Sequence, residues 1–164
     1  MKTLLITLSL LIHISLISQS NVCACCTEEY KKFDFWSGDW QVSSNGQYAG
    51  SNNIYYTQDS CILLENWIGA GGSTGTSMNY FNKNDKTWNQ LWVDNSGNAL
   101  KLKGQHNGES MILVSEPAVS NNQVVINKIT WTPQSDGSVR QLWESTSDAG
   151  VNWNVLFDGM YRKK

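Results

Sequence analysis

The sequence predicts an all-β protein: an antiparallel up-and-down barrel of about ten strands, with a short helical segment at its N-terminal side. Three observations carry that expectation. From Asp39 onward no apolar stripe repeats at helical spacing for more than a turn or two. Short alternating runs are punctuated by Asn45-Gly46, Asn82 to Asp85, Ser96-Gly97, Asn107-Gly108 and Asp136-Gly137, residue types that favour tight hairpin turns. Neither face of the better strands is purely polar, a pattern that suits a closed barrel with a lumen better than a single packed sheet.

The elements follow in order. Thr27 to Phe35 is the one segment expected to be helical, lying against or capping one end of the barrel. Strands are expected at Asp39 to Ser44, Tyr48 to Gln58, Cys61 to Ile68, Ser73 to Phe81 and Thr87 to Asp94. The second half repeats the pattern at Ala99 to Gly104, Ser110 to Glu116, Gln123 to Thr132, Ser138 to Ser147 and Asn152 to Arg162. Period-two alternation puts Cys61, Leu63, Glu65 and Trp67 on one face of their strand. By the same rule Gln90, Trp92 and Asp94 share a face, as do Gln141, Trp143 and Ser145.

Ahead of these elements, Met1-Lys2-Thr3 carries one positive charge and leads into an apolar run from Leu4 to Ile17. The run is shorter than the roughly 20 apolar residues that a spanning helix needs, and reads as a secretory signal. The expected division is a signal peptide over 1–20, an N-terminal segment and cap over 21–38, and a barrel domain over 39–164. Export to the periplasm or outside the cell follows as an expectation. Cleavage after Ser20 leaves Cys23, Cys25, Cys26 and Cys61, whose three pairings the sequence does not choose among. A later cut after Ala24 would leave Cys25 first, as in a bacterial lipoprotein signal, and would make Cys25 a lipidation site. Cys26 with Cys61 is then the candidate bridge between the N-terminal segment and the barrel.

Composition excludes several chemistries. Twelve basic against fourteen acidic residues give a net charge of -2, which offers no basic face for nucleic acid. Of the two His, His13 lies in the leader, so a triad or a metal site in the folded domain would depend on His106 alone. No metal and no cofactor are expected. The chain's expected partner is a small hydrophobic or amphipathic molecule, with a membrane reached only through a lipid on Cys25.

Phe33-Asp34-Phe35-Trp36-Ser37-Gly38-Asp39-Trp40 holds Gly-x-Trp at the opening of the first strand. It resembles the lipocalin signature, which implies Trp40 as a plug in the barrel floor. A late-strand basic residue would pack over it, with Arg162 the candidate. Together with Trp88 to Asp94, Ile129 to Pro133 and Val139 to Glu144, the chain is similar to a bacterial secreted family of unknown function with lipocalin-like barrels. The likeness implies a barrel near the size of fatty-acid-binding and nitrobindin-like barrels and transfers no catalytic residues. Haem is not expected, because the strand from Asn152 to Arg162 contains no His; Met160 or Tyr161 would have to serve as ligand. Thr146 to Trp153 resembles an Asp-box hairpin of sialidase propellers, which implies a structural turn built on Asp148 and Trp153.

The candidate ligand-binding residues are polar groups beside Trp on the presumed inner face: Glu65, Trp67, Asn79, Gln90, Trp92, Gln141 and Trp143. Aromatic walls with a few convergent hydrogen-bonding groups are the usual make-up of a small-molecule site. The same polar groups would alternatively form a self-satisfied network with Arg140 and Glu144. A second reading is a carbohydrate- or surface-binding module that uses Trp88, Trp131 and Trp153 as exposed platforms. A third is a sugar hydrolase pairing Glu65 with Asp94 or Glu144 across a cleft. No catalytic residue is assigned.

Overall fold

The computed structural model describes residues 23–120 and 122–164. The leader and its cleavage after Ser20 lie outside them. Among the described residues no helix is long and apolar enough to cross a membrane.

Strands β1 (Gly38–Ser44), β2 (Gln47–Thr57), β3 (Ile62–Gly69), β4 (Thr74–Asn82), β5 (Thr87–Asp94) and β6 (Ala99–His106) run as an antiparallel meander. It continues through β7 (Met111–Val114), β9 (Gln123–Pro133), β10 (Val139–Thr146) and β11 (Asn154–Lys163). β11 pairs with β1, which closes a ten-stranded barrel and leaves the ring with no free edge. Every expected strand is present, with ends displaced by at most two residues. The turn signals fall where expected: Asn45-Gly46, for example, takes φ of 50° and 76°, the left-handed pair of a tight hairpin.

One strand was not legible. β8 (Ala118–Ser120) pairs only with Gln123–Val125 of β9 and lies outside the ring. β9 outruns its neighbours: β7 covers only Met111–Val114 against Lys128–Trp131, and β10 begins pairing at Ile126. The free backbone groups of the overhang are taken up by β8, whose own side chains are all exposed.

The N-terminal segment does cap the barrel, but with less helix than Thr27 to Phe35. It forms α1 (Glu28–Lys31), which buries nothing, then a 3-10 turn over Asp34–Trp36. Phe33 interrupts the two at φ -113°. That break swings the Phe33 and Trp36 rings into the barrel end, where both are fully buried. Phe33 stacks on Trp36 at 4.9 Å and meets Trp88 and Trp131 edge-on at 5.5 and 5.2 Å. Val42, Leu63, Leu102, Met111 and Leu113 complete this floor.

Two disulfides fix the cap, and their pairing corrects the Cys26–Cys61 expectation. Cys25 joins Cys61 and Cys23 joins Cys26. A turn closed by Cys26 N–H donating to Cys23 O brings those two side chains together on the exposed side. Cys25 is left facing the barrel, 7% exposed, against the β2–β3 turn. Its sulfur is therefore committed to Cys61 and cannot also carry a thioether lipid. Cross-linking residues 36 apart stabilises the fold by about 4 kcal/mol in the chain-entropy model.

Trp40 is the floor plug that the Gly-x-Trp motif implies: it is fully buried and its indole N–H donates to Trp36 O at 2.8 Å. The basic partner is Lys163 rather than Arg162. Lys163 is paired in register with Trp40, its Nζ stands 3.9 Å from the ring centroid, and it also donates to Ser37 O. Arg162 pairs with Gln41 and is exposed on the outer face, one residue out of phase. Gly38 is needed here for its backbone angle, and any side chain on it would also displace the Lys163 ammonium. Its φ is 132°, and a Cβ would sit 2.0 Å from the Lys163 Nζ.

Candidate functional site

At the end opposite the cap the barrel keeps a cavity of about 360 Å³. The strand ends that supply its rim are those joined by the β3–β4, β5–β6 and β10–β11 hairpins. Its walls are Trp67, Trp92, Trp143 and Phe157, all half-buried, with Leu100 and Ile129 between them. Trp131 closes the lower side. The walls are held back from the centre by missing side chains on neighbouring strands. A Cβ on Gly75 would lie 2.1 Å from Trp92, and one on Gly50 would lie 2.7 Å from Trp67. Each indole thus packs close against a glycine, in space that a side chain on the neighbouring strand would otherwise take.

Six of the seven expected residues line this cavity: Glu65, Trp67, Gln90, Trp92, Gln141 and Trp143. Asn79 does not reach it. It stands one layer below, fully buried, and orients two groups of the polar belt. Its amide donates to Ser77 Oγ at 2.8 Å and Leu63 O at 3.0 Å, and its carbonyl accepts from Gln90 Nε2 at 2.9 Å.

The belt crosses the barrel wall from β5 to β10 and converges on Glu65. Ser77 donates its hydroxyl to Glu65 Oε2, and Asn52 donates to Glu65 Oε1 at 2.7 Å. Because Ser77 Oγ already accepts from Asn79, its proton is directed at the carboxylate. On the other side Asn52 Nδ2 lies 3.5 Å from the Tyr161 hydroxyl, which donates to Gln141 Oε1. No ion pair among the described residues includes Glu65. Burial raises its pKa to about 7, against the lowering effect of the Ser77 and Asn52 hydrogen bonds. Tyr161 is pushed well above its ordinary value by burial first and by the Glu65 charge second. It is a neutral donor at any physiological pH.

Arg140 and Glu144 take no part in this belt. Arg140 forms a two-pronged pair with Asp158 on the outer face. Glu144 pairs with Lys128 at 2.9 Å, and Asp94 folds back on its own turn, accepting from the backbone of Ser96 and Asn98. Among the described residues lining the cavity Glu65 is the one carboxylate, so the Glu65–Asp94 and Glu65–Glu144 pairings across a cleft do not form. The platform reading also loses its residues. Trp88 and Trp131 are 3% and 1% exposed and belong to the core. Trp153 is half-buried beneath Lys128, whose Nζ stands 4.0 Å from its ring centroid. The Asp148 turn forms as the Asp-box likeness implies. Its carboxylate accepts from Asn152 N–H at 2.9 Å and Thr146 Oγ1 at 2.7 Å, and its pKa is lowered to about 2, chiefly by the Asn152 backbone bond.

Asn52, Ser77 and Phe157 belong to the site and carry no expectation from the sequence, while Tyr161 entered there only as a would-be haem ligand. Tyr161 had a signal: alternation along β11 puts Phe157, Gly159 and Tyr161 on one face and Arg162 on the other. Ser77 shares its parity with Asn79. Asn52 had none, since Asn53 beside it is equally polar and the register with Trp67 decides between them.

The fold and site together define a closed β-barrel with an aromatic-walled lumen around one buried carboxylate. No protein-family model matches the chain, and no curated protein matches it.

Proposed function

We propose that the chain is an exported lipocalin-like barrel that binds a small apolar or amphipathic molecule in its lumen. The observation that carries the reading is the glycine-seated cavity: Trp67 and Trp92 lie against Gly50 and Gly75, so the space exists before any ligand arrives. A pocket that is already open avoids the cost of rearranging side chains on binding. Convergent polar groups at its base give the ligand one end to orient, the usual division of labour in such sites. The signal-like leader and the two disulfides support export. The motif blocks from Phe33 to Glu144 support a place beside the secreted barrel family that they resemble.

The test uses the neutral dye Nile red with the oxidised protein. The dye should fluoresce in the lumen and be displaced by decanol or retinol. Gly75→Ala moves the Trp92 ring into the cavity without demanding an unusual backbone angle. It should weaken dye binding by about tenfold or more while costing only about 1–3 kcal/mol of stability. Dye binding unaltered in a folded Gly75→Ala protein would sink the lumenal reading.

A further inference from the structure

The lumen's charge is unusual for a cavity that holds only oily molecules. Glu65 is 4% exposed and reaches the cavity, yet no Lys, Arg or His is among the described residues that line it. Its hydrogen-bonding neighbours are wired for the ionised form: Asn52 and Ser77 both donate to it. Those two bonds leave one acceptor position on each carboxylate oxygen unfilled. A buried carboxylate without a counter-ion is costly; the Asn52 and Ser77 bonds offset part of that cost, and no ion pair among the described residues adds to them. Trp67, Trp92 and Trp143 wall the same cavity, and the quadrupole of an indole is negative above the ring. A lone anion at the base of an indole-walled cavity attracts positive charge and repels a fatty-acid carboxylate.

We propose that the lumen selects a small organic cation, an ammonium group on an apolar or aromatic body, with its charge at Glu65 and its body between the tryptophan faces. This rests on the lumenal reading above and narrows it. The raised pKa of Glu65 fits, because a cation that fills the vacant acceptor positions would supply the missing counter-charge. The groups packed against Glu65 from β2, β4 and β11 are Asn52, Ser77 and Tyr161, of which only Tyr161 titrates, and it stays neutral. The pH dependence of cation binding therefore reports Glu65 itself.

The experiment compares three compounds that share one body and differ in the head: 4-phenylbutylamine, 4-phenylbutan-1-ol and 4-phenylbutanoate. Each is titrated calorimetrically into the oxidised protein and competed against Nile red. The amine should bind about tenfold or more tighter than the alcohol at pH 8, with the carboxylate weakest. The amine-to-alcohol ratio should fall towards one in Glu65→Gln. In the unaltered protein the same ratio should fall by up to about a hundredfold between pH 8 and pH 5, as Glu65 takes up a proton with a pKa of about 7. This second measurement needs no variant. Equal affinities for the three heads, or a preference for the carboxylate, overturn the cation reading and leave lumenal binding standing. If neither Nile red nor any of the three binds, both readings fall.

Discussion

The two ends of the barrel use the same residue type for opposite ends. At the capped end Trp36, Trp40, Trp88 and Trp131 are buried, and their rings meet one another, Phe33 and Tyr161. At the mouth Trp67, Trp92 and Trp143 are half-buried, and two of them lie against glycine. Aromatic contact fills space; glycine contact preserves it. What a tryptophan does here is decided by what its neighbouring strands lack, not by the indole itself.

The sharpest way to break the comparison is to truncate one ring at each end. Trp36→Ala empties a fully buried site between Phe33 and Trp131 and should cost about 3–5 kcal/mol in a urea titration of the oxidised protein. Trp92→Ala removes a half-exposed ring beside an existing cavity and should cost about 1 kcal/mol. The two variants should diverge the other way for Nile red, which Trp92→Ala alters and Trp36→Ala, where folded, leaves in place. Equal destabilisation at both ends would mean that the mouth aromatics are core and the cavity incidental.

This division explains what could be read from the sequence. Strand positions, their inward faces and six of the cavity residues followed from alternation and turn chemistry, which are local. The Gly75–Trp92 and Gly50–Trp67 seats were not legible, because they join residues on different strands and need the register. The Cys26–Cys61 pairing failed for a related reason. Four cysteines leave three pairings open, and only the turn from Cys23 to Cys26 decides which sulfur faces the barrel. Arg162 against Lys163 was an error of parity: both are basic neighbours, and one step along a strand reverses the face. β8 escaped because its partner is an overhang whose length depends on how short β7 is.

A second contrast separates the charges of the two regions. Glu65 is buried at the lumen, so its folded pKa of about 7 lies above the ordinary 4.5. Between these values the folded state holds a proton that the unfolded state has released. Stability from this group is thus fully present below about pH 4.5 and is lost as pH rises through about 7. The loss amounts to about 3 kcal/mol in the empty protein. Glu65→Gln should flatten the urea midpoint between pH 5 and pH 8 by an amount of that order. Asp148 does the reverse at the hairpin surface: its pKa of about 2 means that its contribution is present at neutral pH and disappears only as pH falls through that value. The two windows do not overlap, so a slope between pH 5 and pH 8 that survives in Glu65→Gln would show that the carboxylate is not its source.

The smallest expected effect tests the floor at its rim. Lys163 covers Trp40 from the outside of the core and is itself exposed, so its cation–π contact is worth only about 0.5–1 kcal/mol. Burial lowers the Lys163 pKa, with Asp39 acting against that shift. Lys163→Met keeps most of the aliphatic stem and removes the charge, and should lower stability by that small amount. Arg162→Met, one residue away on the opposite face, should change stability by less than about 0.5 kcal/mol. The order matters more than either value. Arg162→Met costing more than Lys163→Met would reverse the parity of β11. Tyr161, which pairs with Val42 on the face of Trp40, would then point away from the lumen, and the Asn52 and Gln141 contacts of the polar belt could not form.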